Sequence, residues 1–269
     1  MAVDPPPLPV LRVQGVSSSY ISRSYGVFGR KTEKPVLHEV SLEMARGEIF
    51  GLVGESGCGK TTFGRCILGL IGYSGLIAVD GVEGRGSSGW QPRRLRQEQA
   101  RKVQAVFQDP SGALNPVKSV GWILEEPLRV HRIGTKAERE KKVSRMLEMA
   151  GMDSSYKKRR PAELSSGQKQ RVSIAAALML EPTLLIADEP VSALDVSVGA
   201  QILNIFKELN DTFGLSILFI SHNLSLVYYL CDRIAVMRRG RIVEQGKAEE
   251  IYANPQDPYT RELFLSAAE

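Results

Sequence analysis

Short apolar runs alternate along this chain with stretches in which apolar residues recur at helical spacing. Four of the runs have the length and bulk of buried strands, and they cover residues 48–53, 102–108, 183–188 and 216–220. After the first run, the apolar side chains that share one predicted helix face are Phe63, Cys66, Ile67 and Leu70. Because buried strands that alternate with helices pack into parallel sheets covered on both faces, the pattern predicts an α/β fold with a mostly parallel core sheet.

A long helical region interrupts this alternation. Residues 111–168 lie between the second and third apolar runs, and apolar positions in them recur every three or four residues. One face of a predicted helix in this region carries Val143, Met146, Leu147 and Ala150. We therefore expect a helical subdomain, inserted at about residues 111–168.

A glycine-rich loop follows the first apolar run. Residues 54–61 read GESGCGKT and match the GxxxxGK[ST] phosphate loop in full, with a predicted strand before it and a predicted helix after it. Glycines let the backbone curl around phosphate oxygens, Lys60 suits the β and γ phosphates, and the Thr61 hydroxyl suits Mg2+. The predicted phosphate-binding residues are Gly54, Glu55, Ser56, Gly57, Cys58, Gly59, Lys60, Thr61 and Thr62.

Two further nucleotide-handling patterns lie within residues 164–195. LSSGQ (residues 164–168) opens a helix with a capping-box pattern, and the exposed N–H groups of such a helix start suit a terminal phosphate. The residues assigned to that contact are Ser165, Ser166, Gly167 and Gln168. The run LLIADE then delivers Asp188 and Glu189 at a strand end, as a metal ligand and a water-activating base require. Together with the phosphate loop, these patterns indicate an ATPase.

In this order, the motifs of the chain resemble those of the ATP-binding subunits of ABC transporters. After the phosphate loop come VFQDP (residues 106–110), similar to the Q-loop; LSSGQKQR (164–171), similar to the ABC signature; LLIADE (184–189), similar to the Walker B strand; SALD (192–195), similar to the D-loop; and ILFISHN (217–223), similar to a strand ending in the switch histidine. The resemblance runs through nearly the whole chain and implies a P-loop NTPase fold of ABC type, with ATP and Mg2+ as cofactors.

The resemblance also implies a role for each motif residue. Glu189 becomes the general base that polarises the attacking water, with Lys60 and His222 beside it as the other catalytic residues. His222 is the γ-phosphate contact, and Asp195 belongs to the nucleotide site through the D-loop. The predicted Mg2+ partners are Thr61, Gln108 and Asp188, and Gln108 also contacts the nucleotide.

An aromatic side chain is expected to stack on the adenine. The family places such a residue shortly after its first strand, where this chain has Tyr20. Tyr25 is a competitor, because residues 21–34 resemble an insertion of uncertain path. We favour Tyr20.

The resemblance also sets the predicted organisation. Residues 1–9 form a Pro-rich tail, residues 10–255 the ATP-binding domain, and residues 256–269 a short C-terminal tail. Within the domain, residues 10–53 and 75–82 contribute an antiparallel β subdomain on the adenine side. One phosphate loop and one signature make half of a catalytic unit, because the family sandwiches each ATP between the loop of one chain and the signature of another. A second ATP-binding subunit is therefore predicted.

Composition and charge indicate the cellular compartment and the class of partner. No apolar run approaches the length of a membrane span, and the N-terminus lacks the pattern of a signal peptide. Three cysteines without metal-binding spacing indicate reduced thiols in a cytoplasmic protein. The formal net charge of +5 raises the question of nucleic acid, but most basic residues are interleaved with acids, as on a solvated helix face. We predict no nucleic-acid partner.

Several segments resemble the ATPases of oligopeptide, dipeptide and nickel importers, most clearly NPQDPYTREL at residues 254–263. The implied function is ATP-driven uptake of peptides at the cytoplasmic face of the membrane, with two transmembrane permease subunits and an extracytoplasmic solute-binding protein. A nickel or metal-chelate importer is the alternative, followed by an exporter ATPase and a soluble ABC protein acting on nucleic acid. LSSGQ departs from the usual LSGGQ at Ser166, which suggests a heterodimer with unequal ATP sites or a tolerated exchange of small residues.

Overall fold

The structure is a computed structural model that describes residues 8–23, 31–84, 86 and 93–266. Its strands are β1 (Leu11–Arg23), β2 (Lys31–Met44), β3 (Ile49–Val53), β4 (Ser74–Val79), β5 (Val82–Gly84), β6 (Val103–Val106), β7 (Leu184–Asp188), β8 (Ser216–Ile220), β9 (Arg233–Arg238) and β10 (Arg241–Lys247). Its α-helices are α1 (Lys60–Ile67), α2 (Arg93–Lys102), α3 (Pro110–Ala113), α4 (Val120–Val130), α5 (Lys136–Met149), α6 (Ser166–Leu178), α7 (Val196–Phe213), α8 (Leu224–Leu230), α9 (Ala248–Ala253) and α10 (Pro258–Ser266).

The core is a six-stranded sheet in the order β10-β9-β3-β8-β7-β6. All neighbours in it are parallel except β10, which turns back against β9 at one edge. Every residue of β3, β7 and β8 is buried, because both faces of the sheet are covered. Along β7, Leu184 and Ile186 pack into one apolar cluster and Leu185 and Ala187 into the other, as side-chain alternation in a strand requires. The predicted parallel core sheet is confirmed.

A second, antiparallel sheet has the order β2-β1-β4-β5. It packs in the same apolar cluster as α1, so it covers the side of the core next to the phosphate loop. The pairing of β1 with β2 continues to Arg23 opposite Lys31. Of the segment predicted as an insertion, residues 21–23 and 31–34 belong to these two paired strands, while Tyr25 lies outside the described residues.

Helices fill the region between β6 and β7. In α5 the predicted face is confirmed, since Val143, Met146 and Leu147 are buried together with Ala150 just beyond the helix end. A capping box between Thr135 and Glu138 fixes the start of this helix. These helices join the larger apolar cluster together with one face of β7 and β8.

Two local predictions need correction. Leu70 is largely exposed, because α1 ends at Ile67 and the chain turns before the next helical position. Residues 256–269, predicted as a short tail, include the helix α10, in which Tyr259 and Thr260 are buried against the rest of the protein. The sequence signal for α10 is weak, because its buried positions follow a proline and cover less than two turns.

Across the ranges that the structure describes, no helix combines the length and the apolar character that crossing a bilayer requires.

Candidate nucleotide-binding and catalytic site

The phosphate loop lies between the carboxyl end of β3 and the first residue of α1. Gly54 has a φ of 148°, and a Cβ built on it would lie 2.2 Å from the carbonyl oxygen of Met237. This position therefore requires glycine on two grounds, backbone conformation and a close approach to β9. Gly59 caps α1 in a left-handed conformation, so the N–H groups at the start of α1 face the loop.

The side chain of Lys60 is folded across the loop. Its ammonium group is buried and donates to the carbonyl oxygens of Gly54 at 2.6 Å and Glu55 at 2.9 Å. These bonds satisfy a buried charge with backbone dipoles. They also hold the ammonium at the inner side of the loop, where Lys60 lines the cavity that phosphate oxygens would enter.

Thr61 and Asp188 bring two oxygen atoms together at the end of β7. The Thr61 hydroxyl donates to a carboxylate oxygen of Asp188 at 3.1 Å. Burial raises the pKa of Asp188, the hydrogen bond from Thr61 lowers it, and the charge of Glu189 raises it, with a net upward shift. A carboxylate that burial disfavours gains most from a cation beside it. Hydroxyl and carboxylate oxygens are ligands that suit Mg2+.

Thr61 and Asp188 offer two oxygen ligands, and Mg2+ bound to a nucleotide needs few ligands from the protein. Within the described part of the chain, no group of three or more His, Cys, Asp or Glu side chains is placed to hold a metal. Mg2+ at phosphate sites takes one or two protein ligands and fills its octahedral shell with phosphate oxygens and water. Thr61 and Asp188 therefore fit a metal that arrives with the nucleotide.

Glu189 and His222 form a second polar pair. His222 Nδ1 lies 2.8 Å from Oε1 of Glu189, and an ionised carboxylate can only accept at this contact. Glu189 has a φ of 49°, a conformation that costs a non-glycine residue energy and concentrates at functional sites. Its N–H donates to the carbonyl oxygen of Ile220, the last residue of β8, at 2.9 Å. The carboxylate is therefore fixed at the carboxyl edge of the sheet.

A cavity of about 690 Å³ connects these groups. The loop, Gln108, Glu189 and His222 all line it, so the structure brings together residues predicted from four separate motifs. Gln108 is exposed to this cavity from the segment after β6. Leu263 of α10 also lines the cavity, and sequence reasoning missed it because the supposed tail gave no reason to place it there.

Tyr20 lies beside the loop. Its hydroxyl is 3.4 Å from the Thr62 hydroxyl, and the residue is 41% exposed. A tyrosine ring that keeps an exposed face next to a phosphate loop is free to stack on a base. Stacking of Tyr20 on the adenine stays a prediction.

The signature segment (residues 164–168) lines a different cavity. Ser165 and Gln168 form the predicted capping box at the start of α6, which confirms the local structure. Their cavity of about 320 Å³ shares no lining residue with the one at the phosphate loop. Gly167 is required here, since a Cβ on it would lie 2.4 Å from Val198 Cγ1 on α7. Asp195, the N-cap residue of α7, is exposed.

Ser166 is the first residue of α6 and is exposed. It is not among the residues with a positive φ, so serine causes no backbone strain at this position. Backbone strain at Ser166 therefore gives no reason for unequal ATP sites, which leaves the added Cβ and hydroxyl at the helix start as the difference from glycine.

We expect Gly54→Ala to destabilise the protein by about 1–3 kcal/mol, because the added methyl group meets backbone that cannot rotate away. Nucleotide binding should weaken with it, since the loop starts at this residue. Chemical denaturation and a nucleotide titration measure the two effects. Gly81→Ala is the matched control: Gly81 also has a positive φ, 75°, but nothing lies within 4 Å of its added Cβ. Equal destabilisation by both changes would contradict the clash.

The chain matches a known protein family. The model of the family described as "ABC transporter" matches residues 37–192, more than half of the chain. OppF of Bacillus subtilis, an oligopeptide transport ATP-binding protein, is 45% identical over 90% of this chain and 79% of its own length. DppF of Haemophilus influenzae, a dipeptide transport ATP-binding protein, is 41% identical over 95% of this chain and 77% of its own length.

Solved structures agree. The ATP-binding cassette MJ0796, in a dimeric post-hydrolysis state bound to ADP and Pi, matches with a TM-score of 0.75 and 27% identity, over 88% of this chain and 98% of that one. CbiO1 of Clostridium perfringens, part of the ABC transporter complex cbiONQ, matches with a TM-score of 0.77 and 27% identity, over 92% of each chain. The chain described here belongs to the ABC transporter family and is an ATPase of its ATP-binding-cassette type.

Proposed function

We propose that this chain is the ATP-hydrolysing subunit of an ABC importer that takes up oligopeptides or dipeptides. The observation that carries the proposal is the 45% identity to an oligopeptide transport ATP-binding protein, which extends over 90% of the chain. Two transmembrane permease subunits and an extracytoplasmic solute-binding protein complete the system, and the chain sits peripherally at the cytoplasmic face of the membrane.

The proposed chemistry divides the site into three functions. Lys60 neutralises the β and γ phosphates, and the N–H groups of the loop orient them. Thr61 and Asp188 hold Mg2+, with Gln108 as a further partner from the cavity wall. Mg2+, when bound, supplies charge neutralisation at the phosphate oxygens.

Water activation is assigned to Glu189. Its carboxylate accepts a proton from the attacking water, and the 2.8 Å contact with His222 fixes the direction in which that carboxylate points. His222 is the γ-phosphate contact, through the imidazole nitrogen that does not face Glu189. The position of Glu189 supports this role, because the residue lines the cavity together with Lys60 and Thr61.

We further propose that a second ATP-binding subunit completes each site. The separate cavities of the phosphate loop and the signature support this, since one chain alone does not bring the two together. Ser165, Ser166, Gly167, Gln168 and Asp195 then act on the nucleotide held by the partner. Tyr20 stacks on the adenine of the chain's own nucleotide.

The partner is proposed to be a different chain, so that the two sites are unequal. Ser166→Gly restores the usual signature and removes a Cβ and a hydroxyl at the helix start that faces the partner's phosphate. We expect this change to raise the ATPase rate of the assembled complex about two- to tenfold, the size of one backbone-to-phosphate hydrogen bond. An unchanged rate, with equal nucleotide occupancy at both sites, would contradict the asymmetry.

Uptake of labelled peptide into proteoliposomes tests the function as a whole. The complex contains this chain, its permeases, the second ATP-binding subunit and the solute-binding protein. Proteoliposomes with the ATP-binding subunits on the luminal side should accumulate peptide only when ATP is enclosed in the lumen. A nickel chelate offered in parallel is the matched substrate. Accumulation of the chelate and not of peptides would replace the peptide assignment with the metal-chelate one.

A further inference from the structure

The helix α10 reaches the phosphate loop through Tyr259. The N–H of Glu55 donates to the Tyr259 hydroxyl oxygen at 3.3 Å. That N–H belongs to the peptide group that joins Gly54 to Glu55, and the carbonyl of the same peptide accepts from Lys60 at 2.6 Å. The N–H and C=O of a trans peptide point in opposite directions. Tyr259 and Lys60 therefore hold the two sides of one peptide plane.

Tyr259 is itself held firmly. It is 3% exposed, and the guanidinium carbon of Arg238 lies 4.5 Å from the centre of its ring. Its own N–H donates to Asp257 at 2.8 Å, which fixes the start of α10. Burial raises the pKa of Tyr259, so the hydroxyl stays neutral at physiological pH. A neutral hydroxyl can accept from Glu55 without placing a negative charge beside a phosphate site.

The segment before α10 is anchored to the core sheet. The carboxylate of Glu244, on the edge strand β10, accepts from the N–H groups of Gln256 at 2.8 Å and Asp257 at 3.1 Å. Hydrogen bonds to a carboxylate are stronger than those between neutral groups. The position of Tyr259 is thus determined by the sheet and not by the chain end that follows it.

The same C-terminal region contacts the element that follows the switch histidine. The ring of Tyr252 in α9 stacks on Phe264 of α10, with ring centres 4.5 Å apart, and packs against Tyr228 of α8 at 4.6 Å. The Tyr252 hydroxyl donates to the carbonyl of Leu224. Since α8 begins two residues after His222, α9 and α10 connect the phosphate loop with the helix behind the γ-phosphate contact.

We propose that Tyr259 is a positioning residue for the nucleotide site: by fixing the peptide between Gly54 and Glu55, it sets the carbonyl that orients the ammonium group of Lys60 toward the phosphates. The inference rests on the role proposed above for Lys60, and it does not depend on the transported solute or on the partner subunits. It gives the segment at residues 254–263 a function inside this chain.

Tyr259→Phe tests the inference, because it removes the hydroxyl and keeps the ring over Arg238. With the purified chain and a fluorescent ATP analogue with Mg2+, we expect the affinity to fall about two- to tenfold, the effect of one lost hydrogen bond. The melting temperature of the nucleotide-free protein should fall only slightly, because Glu55 is exposed and water can replace the hydroxyl at its N–H. Tyr229→Phe is the matched control, because Tyr229 is exposed and its hydroxyl contacts Asn204 on α7, and its affinity should equal that of the parent.

The same substitution in a Lys60→Ala protein distinguishes an effect through Lys60 from a general structural effect. If Tyr259 acts through Lys60, then Tyr259→Phe should weaken binding no further in a Lys60→Ala protein. Three results would overturn the inference: an unchanged affinity for Tyr259→Phe, an equal loss in the Lys60→Ala background, or a fall in the melting temperature of the nucleotide-free variant that matches the loss of affinity. Because the assay uses the single chain and no transport, failure of the peptide-import proposal leaves it intact.

Discussion

Glu189→Gln should slow ATP hydrolysis by the assembled complex about a hundredfold or more, while ATP stays bound. Glutamine has the shape of glutamate and can still meet His222, so the geometry of the pair survives. It cannot take a proton from water, so the step that the carboxylate assists is lost. Steady-state turnover, with nucleotide retention measured on the same sample, gives both results.

The matched control is Glu208→Gln. Glu208 is an exposed acid on α7, away from the cavity, and its variant should turn over ATP at the parental rate. Turnover of the Glu189→Gln complex at the parental rate would show that Glu189 is not the base at a working site. Loss of bound ATP in that variant would show instead that the carboxylate serves binding.

Lys60→Ala should impair nucleotide binding, the step before hydrolysis. We expect the affinity for nucleotide to fall about a hundredfold, because the charged hydrogen bonds to the phosphates are removed. The ammonium group lies inside the loop, where it donates to the carbonyls of Gly54 and Glu55. Alanine removes the positive charge and leaves the phosphate oxygens with only Mg2+ and the N–H groups of the loop to offset their charge. Equilibrium titration of the purified chain with nucleotide measures the loss.

An exposed lysine supplies the control for this change. Lys207→Ala removes a positive charge from the solvent side of α7 and should bind nucleotide as the parent does. Equal affinities for the Lys60→Ala and parent proteins would mean that the loop binds phosphate through its backbone alone. The two variants at Glu189 and Lys60 should thus separate hydrolysis from binding.

The core of the fold could be predicted because its signal is local. Each central strand is a short apolar run buried on both faces, and β7 and β8 appear where the runs predicted them. The helix α10 could not be predicted in the same way. What stabilises it is contact with distant residues, the carboxylate of Glu244 and the loop at Glu55, and no periodicity in residues 256–269 encodes those contacts.

The predictions for the site likewise divide into residues of one local motif and contacts between distant residues. The residues from Gly54 to Thr62 follow from one contiguous motif, whose spacing carries the chemistry. The contacts of Thr61 with Asp188 and of His222 with Glu189 join residues that are far apart in sequence, and the family resemblance was needed to relate them. The backbone conformation of Ser166 could not be predicted, because the LSSGQ pattern alone does not fix whether α6 begins before or after this residue.

If this chain holds half of each catalytic site, the purified chain alone should be a poor ATPase. The measurement compares turnover per phosphate loop in the isolated chain, at a concentration where sedimentation shows a monomer, with turnover in the complete complex. We expect a rate for the monomer at least about a hundredfold lower, because its Glu189 and phosphate loop have no facing signature. A monomer that hydrolyses ATP as fast as the complex would show that one chain holds a complete catalytic site.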